Sequence, residues 1–391
     1  MKKLITLLSI LVPFVLNAQE YTLISEKDSI PSYLERLLQK RDSTFEMSGK
    51  HRTITSNINL EFVTSAGAYF TENKLDEVSF KNNRVRLEMY GRLNKHISYH
   101  FRQSYTRYTS AIEYANIKWH YKDRFELTAG KQFAAFAGYE GYVNGIKVRE
   151  FCEFNNYTDI FLPGLMGTYY FSSDQLVMFQ IANNKSGLDP NAFPVGVEPT
   201  KVPLLATANW NGFFADRTVH LMYSASVGSQ AKGKNIYYLM CGNIYEKEPV
   251  IAYLDVLYAR CGLDSQGRVT ALQGSPVMGP VTIAENVQYL SVIANVDYQF
   301  HPKWNVYLKG AYETAGIYEA NGVFEKGRYI TSWNAQACME WFPFTEDKGF
   351  KVFAHYLYKG HSLTQKADAL MAVMPHTQRV SIGLQYIIPV L

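Results

Sequence analysis

From about residue 53 to near the C-terminus, apolar and polar side chains alternate along the chain. In residues 287–314 the even positions from Leu290 to Phe300 are Leu, Val, Ala, Val, Tyr and Phe. The odd ones from Tyr289 to Gln299 are Tyr, Ser, Ile, Asn, Asp and Gln. After His301, Pro302 and Lys303 the alternation resumes, with Trp304, Val306, Leu308, Gly310 and Tyr312 on one face. A period of two is the signature of a strand with two unlike faces, and two such runs around a short turn form a hairpin. At roughly 3.4 Å per residue these strands exceed the roughly 17–20 Å of an ordinary globular strand.

The same pattern predicts strands over 53–66, 80–93, 96–107, 112–121, 125–134, 165–172, 175–183 and 204–211, and over 217–228, 236–245, 250–260, 287–300, 304–315, 328–342, 349–359 and 378–388. The connections alternate as well. Short turns fall at 94–95, 122–124, 173–174, 212–216, 246–249, 301–303 and 343–348; between them lie mostly longer segments, notably 135–164, 184–203, 261–286 and 360–377. An even strand number with short turns at one end and longer loops at the other is the plan of an outer-membrane barrel.

Water against the apolar face would leave a large exposed hydrophobic surface, and a second packed sheet favours shorter strands. Hydrocarbon satisfies both conditions. The expected fold is therefore all-β, a transmembrane antiparallel β-barrel of about sixteen strands, with its short turns periplasmic and its longer loops extracellular. Aromatic residues beside the turns form the expected interfacial girdle: Trp119, Tyr121, Tyr298, Phe300, Trp304 and Trp341, with Phe342 beside them. No apolar run after the N-terminal one approaches the about 20 residues of a membrane helix.

On the strand at 80–93, Val85, Leu87, Met89, Gly91 and Leu93 face one way, and Arg84, Arg86, Glu88, Tyr90 and Arg92 the other. An Arg or Lys toward lipid near mid-membrane costs roughly 2–4 kcal/mol, so the arginines are assigned to the lumen. The next strands extend this inner wall with His100 and Arg102, then with Lys118 and His120, opposite Ala115, Ile117, Trp119 and Tyr121. Later strands contribute a milder inner face, including Asp297, Lys309, Glu313, Arg328, Gln336, Glu340, Lys351, Lys359, Arg379 and Gln385. A basic stripe concentrates anions in a water-filled passage; charged side chains also serve simply to keep a lumen wet, and both readings stand at this point.

The first residues change the picture of location. Lys2 and Lys3 precede an apolar stretch from Leu4 to Leu16 and a small residue, Ala18, so residues 1–18 are expected to be a secretory signal peptide, followed by a periplasmic segment over 19–50 and the barrel over 51–391. Within the middle segment, Pro31 and the stripe Tyr33, Leu34, Leu37 and Leu38 predict a short amphipathic helix. Loss of Lys2 and Lys3 with the signal lowers the formal charge below its full-length +4, a balance that argues against a nucleic-acid partner. Cys152, Cys241, Cys261 and Cys338 are too scattered for a disulfide framework or a zinc site and are expected as small apolar fillers. The segment 135–164, with Lys147 and Arg149, is long enough to fold inward and narrow the channel or to cap it from outside.

The stretch "FELTAGKQFAAFAGYEG" resembles the corresponding strand and loop of the phosphate-selective porin O and P family, with Gly130, Gln132, Phe133, Phe136, Gly138 and Glu140 matching in type. Lys131 and Ala134 depart from the family pattern, and the chain ends "QYIIPVL" without the aromatic terminus common in outer-membrane barrels. The resemblance implies sixteen strands, a trimer and a passive pore of the bacterial outer membrane. On that reading the partners are outer-membrane lipid and small anionic solutes, and no cofactor is needed. Arg84, Arg86, Arg92, Arg102 and Lys118 would bias the pore toward anions, with Lys147 and Arg149 at its narrowing. An oligosaccharide channel or receptor is the alternative. No nucleophile motif accompanies the scattered histidines, so an enzyme is not expected.

Overall fold

The computed structural model describes residues 55–80, 84–106, 110–136, 138–143, 148–184, 191, 193–273, 283–321 and 324–390. The expected signal peptide, the segment 19–50 with its helix, and Lys147 lie outside the described residues.

The strands are β1 (Thr55–Thr71), β2 (Lys74–Ser79), β3 (Arg84–Asn94), β4 (Ile97–Thr106), β5 (Ser110–Tyr121), β6 (Phe125–Phe133), β7 (Phe161–Ser172), β8 (Gln175–Asn183) and β9 (Leu204–Phe214). They continue as β10 (Val219–Ala231), β11 (Lys234–Lys247), β12 (Val250–Leu263), β13 (Glu285–His301), β14 (Trp304–Ile317), β15 (Gly327–Trp341), β16 (Phe350–Leu363) and β17 (Thr377–Pro389). Each pairs antiparallel with its neighbours, and β1 pairs with β17 from Asn59↔Pro389 to Thr71↔Thr377, which closes the sheet. β2 and β3 lie one after the other along the same edge of β1, so the segments make sixteen staves. Pairing of β1 with β17 seals the seam between the first and last staves, which is what allows a sheet to cross hydrocarbon.

The sixteen expected strands coincide with the sixteen staves. One connection differs. β1 continues to Thr71 and turns back through Glu72 and Asn73, both at positive φ, where the alternation predicted an open segment over 67–79. Glu72 and Asn73 supply the left-handed conformations that a two-residue hairpin of matching twist requires.

The outer face carries exposed apolar residues around the barrel, among them Val85, Ile117, Leu165, Phe179, Leu239, Val296, Leu308 and Ile382. The two turn-proximal aromatic pairs Trp304–Trp341 and Tyr298–Phe300 are each 6.2 Å apart between ring centroids, and Trp119 lies 5.5 Å from Tyr121; all six residues are exposed. Phe342 is buried on the inside instead, beneath the Lys351 ammonium: it shares the parity of the inward Gln336 and Glu340 and follows the outward Trp341. Arg328 is also displaced from its expected inward position. A register shift beside Gly316 turns it out, where it donates to the Tyr312 hydroxyl. Cys152, Cys261 and Cys338 are buried, and all four cysteines are free thiols.

Candidate channel constriction

Between β6 and β7 the chain folds into the barrel and does not cap it from outside. Ala134, Ala135 and Phe136 are buried, followed by two short helices, α1 (Tyr139–Tyr142) and α2 (Glu153–Tyr157). The resemblance motif is what seats this loop. Gly130 has φ +119°, and a Cβ there would lie 2.2 Å from the Ala115 carbonyl oxygen, so only glycine lets β6 hug β5 at this bend. Gly138 lets the loop backbone pass Asp255 on β12, whose Oδ2 would be 2.6 Å from a Cβ. Gln132 and Phe133 are buried at the loop root, and Phe136 stacks on Tyr238 at 4.5 Å.

A loop drawn into a barrel must satisfy its backbone there. Gln180 on β8 accepts from the Ala135 N–H at 2.9 Å and donates to the Phe133 carbonyl, while Asn209 on β9 donates to the Ala135 carbonyl. The Glu140 N–H donates to Asp255 at 2.9 Å. The Glu140 carboxylate is fully buried, paired with the Lys309 ammonium of β14, and accepts from the Cys152 N–H and the Asn155 side chain. Burial by itself would raise the Glu140 carboxyl; the Lys309 charge and these hydrogen bonds outweigh it and hold the group below the ordinary carboxylate range. At α2 the Glu153 and Phe154 N–H groups donate to the Glu313 carboxylate at 2.7 and 3.0 Å.

The far end of the loop reaches β15, β16 and β17. Arg149 donates to Gln385 at 2.9 Å, lies 3.4 Å from Glu340 and rests over the Phe353 ring. Glu150 pairs with Lys359 and with Arg379 at 3.2 Å, and is held below the ordinary carboxylate range because these cations outweigh the effect of burial. A second inward segment, after β12, braces the first: Arg268 pairs with Glu153, and Gln266 donates to Thr158. The loop thus follows the inner wall from β8 round to β17, facing the wall built by β3, β4 and β5.

On that facing wall Arg86 and Arg102 are buried and ion-paired. Arg86 meets Glu61 and Glu113 at 3.1 Å each, and Arg102 meets Glu113 at 2.7 Å and Glu88 at 3.5 Å. Nearer water, His100 lies 2.9 Å from Glu88, and Lys118 and His120 lie 3.2 and 3.1 Å from Glu126. Arg84 is half-buried on the same inner face, and Arg92 is exposed near the turn to β4. The basic stripe is therefore more nearly balanced than the cations alone implied. Glu61 and Glu126 were legible as inward positions of their strands. Glu113 was not: a bulge opposite Arg102 and Gln103 resets the alternation of β5, so that Glu113 turns inward although it shares parity with the outward Ala115.

The family described as phosphate-selective porin O and P matches residues 55–388. No curated protein matches the chain. Among solved structures, DcaP, an outer membrane channel of Acinetobacter baumannii, superposes with a TM-score of 0.60 at 11% identity, over 88% of this chain and 99% of that one. An anion-selective porin from Comamonas acidovorans gives 0.56 at 8% identity, over 85% and 100%. The trimer form of OmpT, an outer membrane protein of Vibrio cholerae, gives 0.50 at 13% identity, over 85% and 99%. At such identities the likeness is one of fold.

Proposed function

The chain belongs to the phosphate-selective porin O and P family, and from that premise we propose that this outer-membrane diffusion channel is biased toward small anions, phosphate among them. As a porin it is a channel and not an enzyme. The observation that carries the bias is the depth of the two partners in the ion pairs that reach water. The Lys118 side chain is 36% exposed against 9% for Glu126, and the Lys359 side chain 26% against 17% for Glu150. Water in the lumen meets the ammonium groups before the carboxylates, and a mobile anion gains from that order. Arg86 and Arg102, being buried, act on the lumen through the balance of their cluster.

The reading extends to a homotrimer, supported by the trimer form among the fold neighbours, and to cleavage of residues 1–18 on export, supported by their signal-like pattern. No cofactor enters the proposal. Reversal potentials across a planar bilayer in a KCl gradient, then in potassium phosphate, test it. An anion-preferring potential is expected; cation preference would remove the bias, and absence of channels would remove the pore.

A further inference from the structure

Two arginines stand on the outer face of the barrel toward its long-loop end, Arg260 of β12 and Arg328 of β15, and both are exposed. Successive registers set them in one row across four strands: Arg260 is opposite Gln288 of β13, Gln288 opposite Gly316 of β14, and Gly316 opposite Arg328. The ends of the row are three strand spacings apart, about 14 Å.

The row lies at the height of lipid headgroups. On β13, Gln288 is ten residues from Tyr298 of the turn-proximal girdle, about 34 Å along the strand. A strand tilted by about 40° rises about 26 Å over that length, which matches the roughly 25 Å apolar band of such barrels. The girdle marks one boundary of the band and the arginines mark the other. Toward mid-membrane from the row, Ala294, Gly310 and Ala335 stand in register, and a Cβ on Gly310 would meet nothing nearer than the Asn334 carbonyl oxygen, at 3.9 Å. The outer wall is recessed there.

Both guanidinium groups are held by neutral partners. Arg260 rests over the Tyr318 ring at 3.8 Å, and Arg328 donates to the Tyr312 hydroxyl at 3.3 Å. Tyr312 is on β14 and Tyr318 just past its end, so both arginines lean toward that strand. No carboxylate pairs with either among the described residues. Each cation is oriented but not neutralised. An arginine facing lipid is tolerated near the interface and not at mid-membrane. The anion that the interface supplies is phosphate, whose oxygens match a guanidinium through two parallel hydrogen bonds.

We propose that this row is a site for phosphate-bearing lipid of the outer leaflet, with phosphate oxygens on Arg260 and Arg328 and an acyl chain along Ala294, Gly310 and Ala335. The site lies outside the barrel and is independent of the solute that passes within.

The test titrates the full-length protein in detergent micelles with tritiated dioleoyl phosphatidic acid or with dioleoylglycerol, which has the same chains and no phosphate. Bound lipid is read by scintillation proximity, and heat-dependent gel mobility reports that each variant is folded. Wild type is expected to retain phosphatidic acid about tenfold more tightly. Arg260→Gln combined with Arg328→Gln should erase that preference. Lys232→Gln combined with Lys326→Gln, which removes the same charge from exposed positions at the long-loop end, should keep it. Inorganic phosphate, lacking acyl chains, should leave most of the lipid bound. Equal retention of the two lipids by wild type overturns the proposal without recourse to any variant. So does a preference that survives in the arginine pair or falls equally in the lysine pair. Complete displacement by inorganic phosphate would assign the arginines to free anions and overturn the lipid site. If wild type is a trimer on a sizing column and the arginine pair a monomer, the row is a contact between copies of this chain, and the lipid assignment falls as well.

Discussion

Lys309 and Glu140, 169 positions apart in the chain, pair inside the barrel with their side chains almost wholly buried. The Lys309 ammonium also donates to the Glu150 carbonyl, so one side chain of β14 holds both limbs of the inserted loop. Removing one member of a buried pair strands the other, at a cost of about 3–5 kcal/mol. Lys309→Met is therefore expected to free the loop while the barrel survives. Single-channel conductance should rise and become noisy, heat-dependent gel mobility should persist, and adding Glu140→Gln should restore a quiet channel in part.

Gly138→Ala tests the same seat by crowding. The new methyl group meets the Asp255 carboxylate at 2.6 Å, and Asp255 is fully buried with little room to retreat. Overpacking of this kind costs about 1–3 kcal/mol. Limited proteolysis should cut the loop faster in Gly138→Ala than in wild type, and an unchanged rate would contradict the tight approach.

Exposure separates the charges that select ions from those that hold the wall. Lys118→Gln, at the more exposed of these ammonium groups, should move the reversal potential toward cations with less loss of stability than a buried arginine shows. Arg86→Gln should do the reverse: it leaves Glu61 buried without its guanidinium partner, and thermal stability should fall while selectivity moves less.

Acid should break the Glu140 and Glu150 ion pairs only well below neutrality. Glu140 and Glu150 are held below the ordinary carboxylate range, so their folded pKa values lie beneath those of the free groups. Their stabilisation is fully present above the ordinary value of about 4.3 and is lost as pH falls through the folded values. Asp255 and Glu313 also seat the loop, so the pairs are read in Asp255→Asn, Glu313→Gln protein, where conductance and its noise should stay flat from pH 8 to about 5, with gating events growing only in stronger acid. Current noise that already rises between pH 7 and 6 would contradict the pairing.

The turn-proximal tryptophans Trp304 and Trp341 face outward, stacked, at one end of the apolar band. In lipid vesicles their fluorescence should be quenched by bromines near the headgroup more than by bromines near the chain ends. Equal quenching at both depths would remove the girdle.

Much of the fold was legible because two periodicities do not interfere: a strand exposed to lipid on one face repeats every two residues, and each turn breaks that repeat locally. All sixteen staves follow from it, as do the inward sides of β3, β6 and β14. Where the repeat slips, the residues themselves give no notice. The bulge that turns Glu113 inward and the shift that turns Arg328 outward each depend on a neighbouring strand's register.

The path of the loop belongs wholly to tertiary structure. Gly130, Gly138 and Glu140 stood out in the chain as a family pattern, yet Lys309, Glu313, Gln180 and Asp255 carry no local mark of their role as its seats. Each is one more polar residue on an inward face. Alternation determines which way a side chain points, a property of its own backbone and its two neighbours. Whether an inward charge meets water or a buried partner depends on what the chain brings across the barrel, and only closure of the sheet around the loop decided that.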